Sequence, residues 1–172
     1  MQPSEHFIVA VLPTAAYVIA RDRRLPSLQF LAVVFVGSQL PDLVDKPLAH
    51  QFGLLPSGRV FFHSIPIALP LILLVLYYAI RTDRLRLGGA YAFAHASHLF
   101  ADNRRALLDP NRGFPPDLLW PITQPAPRPV VPGWAGPNGI NVLLWTVFSA
   151  AVLSVLAYVL VGDLRDHAHL WQ

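Results

Sequence analysis

The stretch "YAFAHASHLFADN", residues 91–103, places two histidines and an aspartate inside a run that is otherwise mostly apolar or small. An α-helix turns about 100° per residue, so His95, His98 and Asp102 would lie within an arc of about 60°. Three polar side chains on one face of an apolar helix either satisfy one another or bind something. Ionisable groups in membrane helices are costly and tend to be functional. The stretch therefore predicts a helix that forms one wall of a site.

The composition favours a membrane protein. Of the 172 residues, 54% are hydrophobic and 13% are charged, and the mean hydropathy is +0.46. Soluble domains carry about 25% charged residues, so membrane lipid is the expected surrounding. The net charge of +3 does not indicate a nucleic-acid partner, because the basic residues lie singly or in short clusters between apolar runs. Cysteine is absent, so a metal site must use His, Asp or Glu.

Five apolar segments predict an all-α, polytopic membrane bundle of about five helices. They cover residues 6–20, 27–40, 60–80, 87–100 and 140–162. The third and fifth reach the roughly 20 residues that span a bilayer. The other three are shorter, and predict tilted or interfacial helices or helices that continue into polar residues at their ends. The length allows a single domain, residues 1–172, with a C-terminal transmembrane helix at 140–162.

Residues 103–139 predict an ordered interfacial loop. The prolines in this stretch exclude a continuous helix. Trp120 and Trp134 suit the membrane–water interface, where amphipathic aromatic side chains collect.

Basic residues predict the orientation. Glu5 and His6 precede the first apolar segment and "RDRR", residues 21–24, follows it, which is the reverse of a secretory signal peptide. Basic loops favour the cytoplasm, so "RDRR" and "RTDRLR", residues 81–86, are expected there. The sequence thus predicts a multi-pass protein of the inner (plasma) membrane with its N-terminus outside.

Seven ionisable residues are predicted to meet on one face of the membrane. In an alternating bundle, the start of the first helix, the end of the second, the start of the third and the end of the fourth lie together. The seven residues at these ends are His6, Asp42, Asp45, His63, His95, His98 and Asp102. With the orientation above, the site is expected on the non-cytoplasmic face.

Imidazole and carboxylate groups are the ligands of zinc and similar ions when thiolates are missing. We therefore predict a divalent metal, foremost Zn²⁺ with Mn²⁺ as the other possibility, bound as two or three ions. Such a cluster activates water for attack on an ester. The predicted ligands are His6, Asp42, His63, His98 and Asp102. Asp45 is predicted as a ligand, a bridge or a general base, and His95 as a ligand or a supporting partner.

Asp45, His63 and Asp102 are the residues predicted to carry catalysis. Arg59, Arg104 and Arg105 could bind an anionic group such as phosphate. Arginines at helix ends also extend to lipid headgroups, which is the alternative role for all three.

These motifs resemble the YdjM-like family of membrane-bound, metal-dependent hydrolases. The resemblance covers residues 6–123, through an N-terminal His, "GSQLPDLVD", "R…HS", "HASHLFAD" and "LLWPIT". It implies that the functional positions are His6, Asp42, Asp45, His63, His98 and Asp102. The family's similarity to zinc-dependent phospholipase C and P1-type nucleases implies hydrolysis of a phosphoester, in a lipid or another small membrane-associated substrate. The stretch "NRRALLDPNRG", residues 103–113, departs from the family pattern.

Non-enzymatic interpretations remain open. The same residues could bind metal structurally or regulate another protein, and Asp45 could pair with Lys46 at the surface. A transport pathway would continue ionisable groups to the other face, and the cytoplasmic halves of the segments contain almost none apart from Tyr17, Tyr77 and Tyr78.

Overall fold

The computed structural model describes residues 2–109, 111–125 and 139–168, and within these ranges the chain forms helices and no strands. The five α-helices are α1 (Pro3–Asp22), α2 (Leu28–Lys46), α3 (Ile65–Arg81), α4 (Leu85–Leu107) and α5 (Gly139–Asp166). A π-helical turn, Pro47–Gln51, extends α2, and a short 3₁₀ helix, Pro116–Leu119, lies in the Pro-rich loop. The predicted all-helical bundle of five helices is confirmed. Trp134 lies outside the described residues.

Three helices are long and apolar enough to cross a membrane. They are Pro3–Asp22, Leu28–Gln51 and Asn141–Asp166, whereas α3 is shorter, with 17 residues. This corrects the expectation that the third segment, rather than the first and second, reaches spanning length. The first and second helices gain length because they continue into the polar residues at their ends.

The third segment is shorter because its first residues form a loop. The predicted segment began at residue 60, but α3 begins at Ile65. The Asp45 carboxylate accepts hydrogen bonds from the backbone N–H groups of Phe62 (2.8 Å) and His63 (3.3 Å). These N–H groups are therefore used by a side chain of α2. The helix then begins with Pro66 in its first turn, where a missing N–H costs nothing.

The interior of the bundle is polar at the site end, and many large apolar side chains lie on the outside. Among the largest fully buried side chains are His6, His63, His95, His98, Asp42 and Asp45. Large apolar side chains face outward instead: Leu28 is 83% exposed and Leu144 is 61% exposed. Exposed apolar side chains of this kind are expected against lipid, where every polar group must find a partner inside the protein.

Small residues bring α4 close to its neighbours. A Cβ atom added to Gly37 of α2 would lie 2.8 Å from the Tyr91 carbonyl oxygen and 2.9 Å from the Ala94 Cβ. Similarly, a Cβ on Gly88 of α4 would lie 2.5 Å from the Ala79 Cβ of α3. Close approach through glycine and alanine is how membrane helices gain packing energy. It also allows side chains of α2 and α4 to meet.

Neighbouring helices run in opposite directions, which gives the bundle two distinct ends. Gln39, near the end of α2, donates to the carbonyl of Pro3 at the start of α1 (3.0 Å). At the other end, Arg86 at the start of α4 contacts Asp22 at the end of α1 (2.7 Å). We call these the site end and the arginine end.

Candidate metal centre

The site end brings together side chains from four parts of the chain. His6 is in the first turns of α1, Asp42 in the last turns of α2, and His63 in the loop before α3. His98 and Asp102 extend from α4, one turn apart. All five side chains are at most 2% exposed. Two groups of three ligand atoms form among them.

The first group contains Asp42, His63 and His98. The His63 and His98 Nε2 atoms lie 3.0 Å apart. Asp42 Oδ1 lies 3.4 Å from His63 Nε2 and 3.9 Å from His98 Nε2. Three atoms that could bind a metal ion thus face one small space.

The second group contains His6, His98 and Asp102. His6 Nε2 lies 3.2 Å from Asp102 Oδ1, and the His6 and His98 rings stack with their centroids 3.8 Å apart. His98 belongs to both groups. Asp102 Oδ2 also lies 3.7 Å from His63 Nε2, so the two groups form one continuous cluster.

The rings of His98 and His63 are each held in orientation by a hydrogen bond at Nδ1. His98 Nδ1 lies 2.6 Å from the Ser38 carbonyl oxygen, and His63 Nδ1 lies 2.8 Å from Asp45 Oδ2. A carbonyl only accepts, so the Nδ1 of His98 carries the proton and its Nε2 has the free lone pair. This arrangement, with Nδ1 bound to a carbonyl or carboxylate, is the usual support of metal-binding histidines.

Asp45 lies behind His63 and outside both ligand groups. Its two oxygens accept from the His63 ring and from the N–H groups of Phe62 and His63. The carboxylate therefore orients His63 and holds the loop. Sequence reasoning included Asp45 as one possible ligand, and the geometry places it as a support.

His95 also lies outside the ligand groups. Its Nε2 is 3.1 Å from the Phe62 carbonyl oxygen and its Nδ1 is 3.2 Å from the Tyr91 hydroxyl. Both ring nitrogens thus have partners. Together with Asp45, His95 fixes Phe62 from both its N–H and its C=O, so α2 and α4 jointly hold the loop that carries His63.

Several buried atoms of the cluster lack an aligned hydrogen bond. Within the described residues these include both ring nitrogens of His6 and Asp42 Oδ2. Buried polar atoms almost always have a partner, and exceptions point to an additional ligand, an ion or water.

Two cationic side chains balance the carboxylates, and the pairing of one of them with Asp42 was not predicted from the sequence. Lys46 is only 3% exposed and its Nζ lies 3.1 Å from Asp42 Oδ1. The sequence suggested a surface pair with Asp45, but the four-residue spacing from Asp42 puts Lys46 and Asp42 on one helical face. Arg59 Nε lies 3.1 Å from Asp102 Oδ2, and the Arg59 side chain is 20% exposed.

The other two predicted arginines occupy different positions. Arg104 donates to the Ala101 carbonyl oxygen of its own helix (2.7 Å), and Arg105 is exposed. Of the three predicted anion-binding arginines, Arg59 is the one paired with a carboxylate of the ligand groups in the described part of the chain.

The carboxylates around His63 favour the protonated form of its ring. Burial alone lowers the pKa of its imidazole, but the hydrogen bonds and negative charges of Asp42 and Asp45 outweigh burial and raise that pKa to about 9. A cation is therefore favoured at this point, whether it is a proton on His63 or a metal ion beside it.

Comparison with known proteins identifies a protein family. The pattern of the YdjM inner membrane protein family matches residues 1–164. No curated protein and no solved structure matches the chain.

Proposed function

We propose that this chain, which belongs to the YdjM inner membrane protein family, is a membrane-bound, metal-dependent hydrolase of phosphoesters. The observation that carries the proposal is the pair of buried ligand groups that share His98. Membership of the family supports the membrane location. The reaction is inferred from the chemistry of the cluster.

The cluster fits divalent zinc. In a tetrahedral zinc site with bonds of 2.0–2.2 Å, neighbouring ligand atoms are roughly 3.3–3.6 Å apart. The separations among Asp42, His63 and His98 are 3.0, 3.4 and 3.9 Å. The two groups could hold two ions. His98 has one ring nitrogen available and could bind one of these ions, and Asp102 lies beside both groups. Manganese is the other candidate, since it accepts the same ligands.

A bound zinc ion would supply a water of lowered pKa and would attract the phosphoryl oxygens of the substrate. The chain's own residues have separate tasks. Asp42, His63 and His98 would hold the ion, and His6 with Asp102 would complete the second position. Asp45 keeps the His63 ring in place and Ser38 does the same for His98.

Arg59 indicates where a substrate would enter. It is the partly exposed member of a cluster that is otherwise buried, and it already contacts an oxygen of Asp102. A guanidinium binds phosphate oxygens in pairs. We infer that an anionic phosphoester reaches the cluster past Arg59, either as a lipid headgroup or as a small membrane-associated molecule.

The proposed orientation places the site end outside the cytoplasm. The "RDRR" and "RTDRLR" segments both lie at the arginine end, where Arg86 pairs with Asp22. Basic loops favour the cytoplasm. The chain would then pass through the membrane several times.

A non-enzymatic metal site is the second candidate, favoured by one observation. Lys46 and Arg59 already lie 3.1 Å from carboxylate oxygens of the cluster. A network so balanced in charge could hold the helix ends together without turning over a substrate.

The first experiment measures the metal content of the detergent-purified protein. We expect stoichiometric zinc in the wild type and a loss of at least one ion in His98→Ala. His50→Ala is the matched control, because His50 is half-buried in the π-helical turn and belongs to neither ligand group. A well-folded wild type that binds neither added zinc nor added manganese would exclude the hydrolase.

The second experiment separates the two candidates. Zinc-loaded protein is assayed on generic phosphomonoesters and phosphodiesters and on phospholipids, and Arg59→Gln is compared with Arg105→Gln. The hydrolase predicts turnover that falls in Arg59→Gln alone. Stoichiometric zinc with no turnover of any of these esters, together with a large loss of thermal stability on chelation, would support the structural site.

A further inference from the structure

A cleft of about 1070 Å³ opens at the arginine end of the bundle. It lies between the second half of α1, the start of α2 and the start of α4. Its walls include the apolar side chains of Val18, Phe30 and Phe93 and the backbone of Gly89. The cleft is separate from the metal centre, which occupies the other end of the same three helices.

The mouth of this cleft is basic. Arg21, Arg24 and Arg86 line it, and Asp22 is the one acidic residue among its lining residues. Arg86 pairs with Asp22 (2.7 Å), and Arg21 donates to the Tyr17 hydroxyl (2.6 Å). Arg24 makes no hydrogen bond within the described part of the chain. The mouth therefore keeps a net positive charge after its internal pairing.

The cleft thus combines two chemistries in a fixed order. Its walls lie along a helix that is long and apolar enough to cross a membrane, so they face the depth of hydrocarbon. Its charged mouth lies where that helix ends at Asp22, at the depth of lipid headgroups. Basic pockets between membrane helices, next to apolar walls, are typical sites for anionic lipid headgroups.

We propose that this cleft binds one anionic phospholipid, with its phosphate at Arg21, Arg24 and Arg86 and an acyl chain along Phe30 and Phe93. The occupant is a membrane lipid and not a free phosphate, because the apolar walls make up most of the cleft. The site does not depend on the hydrolase activity, since no ligand of the metal centre lines it.

Gly89 allows the cleft to be filled without disturbing the fold. A Cβ added to Gly89 meets no other atom within 4 Å, and the residue lines the cleft. Gly89→Leu therefore places a side chain where the acyl chain would lie, and replacing a helical glycine favours the helix. Gly162→Leu is the matched control: Gly162 is also helical with nothing within 4 Å, and it lies on α5, away from the cleft.

The test is native mass spectrometry of the detergent-purified full chain with added phosphatidylglycerol or phosphatidylcholine. We expect the wild type and Gly162→Leu to retain one phosphatidylglycerol at least fivefold more than phosphatidylcholine. Gly89→Leu should lose this retention. Equal retention of the two lipids by the wild type, or undiminished retention in Gly89→Leu, would overturn the proposal.

A charge arm distinguishes a lipid from a phosphate. Arg21→Gln/Arg24→Gln should lose the preference for phosphatidylglycerol, whereas Arg81→Gln/Arg165→Gln should keep it. The control pair removes the same charge from two other helix ends, and Arg81 contacts Tyr77 as Arg21 contacts Tyr17. Displacement of the lipid by millimolar inorganic phosphate would show a headgroup-only site and would also overturn the proposal.

Discussion

His98 is the residue on which both ligand groups depend. Its Nδ1 is held by the Ser38 carbonyl, which leaves Nε2 facing His63 and Asp42. The opening stretch of sequence could predict that His98 faces inward, because helical spacing fixes the face. It could not predict the carbonyl behind the ring, since that contact depends on how close α2 comes to α4.

The roles of Asp45 and His95 could not be separated from the sequence for a related reason. Both bond the backbone of Phe62, which lies in a loop rather than in a periodic element. Helical spacing shows which residues share a face, but it says nothing about which loop atoms that face will meet.

Asp45→Asn should weaken metal binding without abolishing it. The amide keeps a similar shape but cannot supply the charge that orients and polarises the His63 ring, and losses of this kind cost about 10–100-fold in metal affinity. Zinc titration with a competing chelator measures the effect. Asp42→Asn is the comparison and should lose the first group entirely; an equal loss in both variants would make Asp45 a direct ligand.

His95→Leu should destabilise the fold and spare the metal. It removes the hydrogen bond to the part-buried Phe62 carbonyl, which costs about 1 kcal/mol in the free energy of unfolding. Thermal unfolding in detergent and metal content are measured on the same sample. Loss of zinc from a sample that still unfolds cooperatively at the wild-type temperature would show that His95 is a ligand.

Metal binding should become tighter as the pH rises from 6.5 to 9. The His63 ring, with its pKa raised to about 9, must lose a proton before Nε2 can bind a cation, so binding releases protons. In chelator-treated protein, deprotonation of the same ring lowers the stability of the fold as the pH rises. A folded-state pKa above the unfolded value gives stability that is present below pH 6.5 and lost as the pH rises through 9. Unfolding temperatures of chelated and zinc-saturated samples should therefore diverge across this range, and parallel curves would contradict the assignment.

At the scale of elements, the order of the helices accounts for most of what the sequence could predict. Alternation alone places the start of α1 beside the ends of α2 and α4, whatever the tilt of each helix. The boundaries were harder to predict. The start of α3 at Ile65 depends on Asp45 capturing two backbone N–H groups, and a run of apolar letters contains no sign of that capture.

The contact between α2 and α4 should be intolerant of added volume at Gly37. Gly37→Ala places a methyl group 2.8 Å from the Tyr91 carbonyl oxygen, so the helices must separate. Overpacking of this kind costs about 1–3 kcal/mol. Thermal unfolding in detergent should show a lower midpoint for Gly37→Ala and an unchanged or higher one for the control Gly89→Ala. Equal midpoints would mean that the helices separate freely.

At the scale of the whole molecule, buried polar side chains at the site end are combined with many exposed apolar side chains. The composition indicated the apolar exterior, because a chain with 13% charged residues has too few of them to cover its surface. The described exterior is accordingly rich in exposed leucine and valine, while histidine and aspartate fill the interior at the site end.

Single-cysteine labelling tests the proposed orientation on a favourable background, since the chain has no cysteine. Arg105→Cys, at the site end, should react with a membrane-impermeant thiol reagent in intact spheroplasts. Arg24→Cys, at the arginine end, should react only after the membrane is permeabilised. The reverse pattern would place the metal centre in the cytoplasm.

The contact between His6 and Asp102 also bears on biogenesis. These residues belong to the first and fourth helices to leave the ribosome, so α1 is made before the carboxylate partner of His6 exists, whereas Asp42 already has Lys46 on its own helix. Until α4 is made, His6 lacks its partner and is a costly group on an apolar helix. A chain that stops after α3 would keep that cost permanently and should be degraded quickly by membrane proteases. The cluster can therefore form only in a chain whose synthesis has passed residue 102.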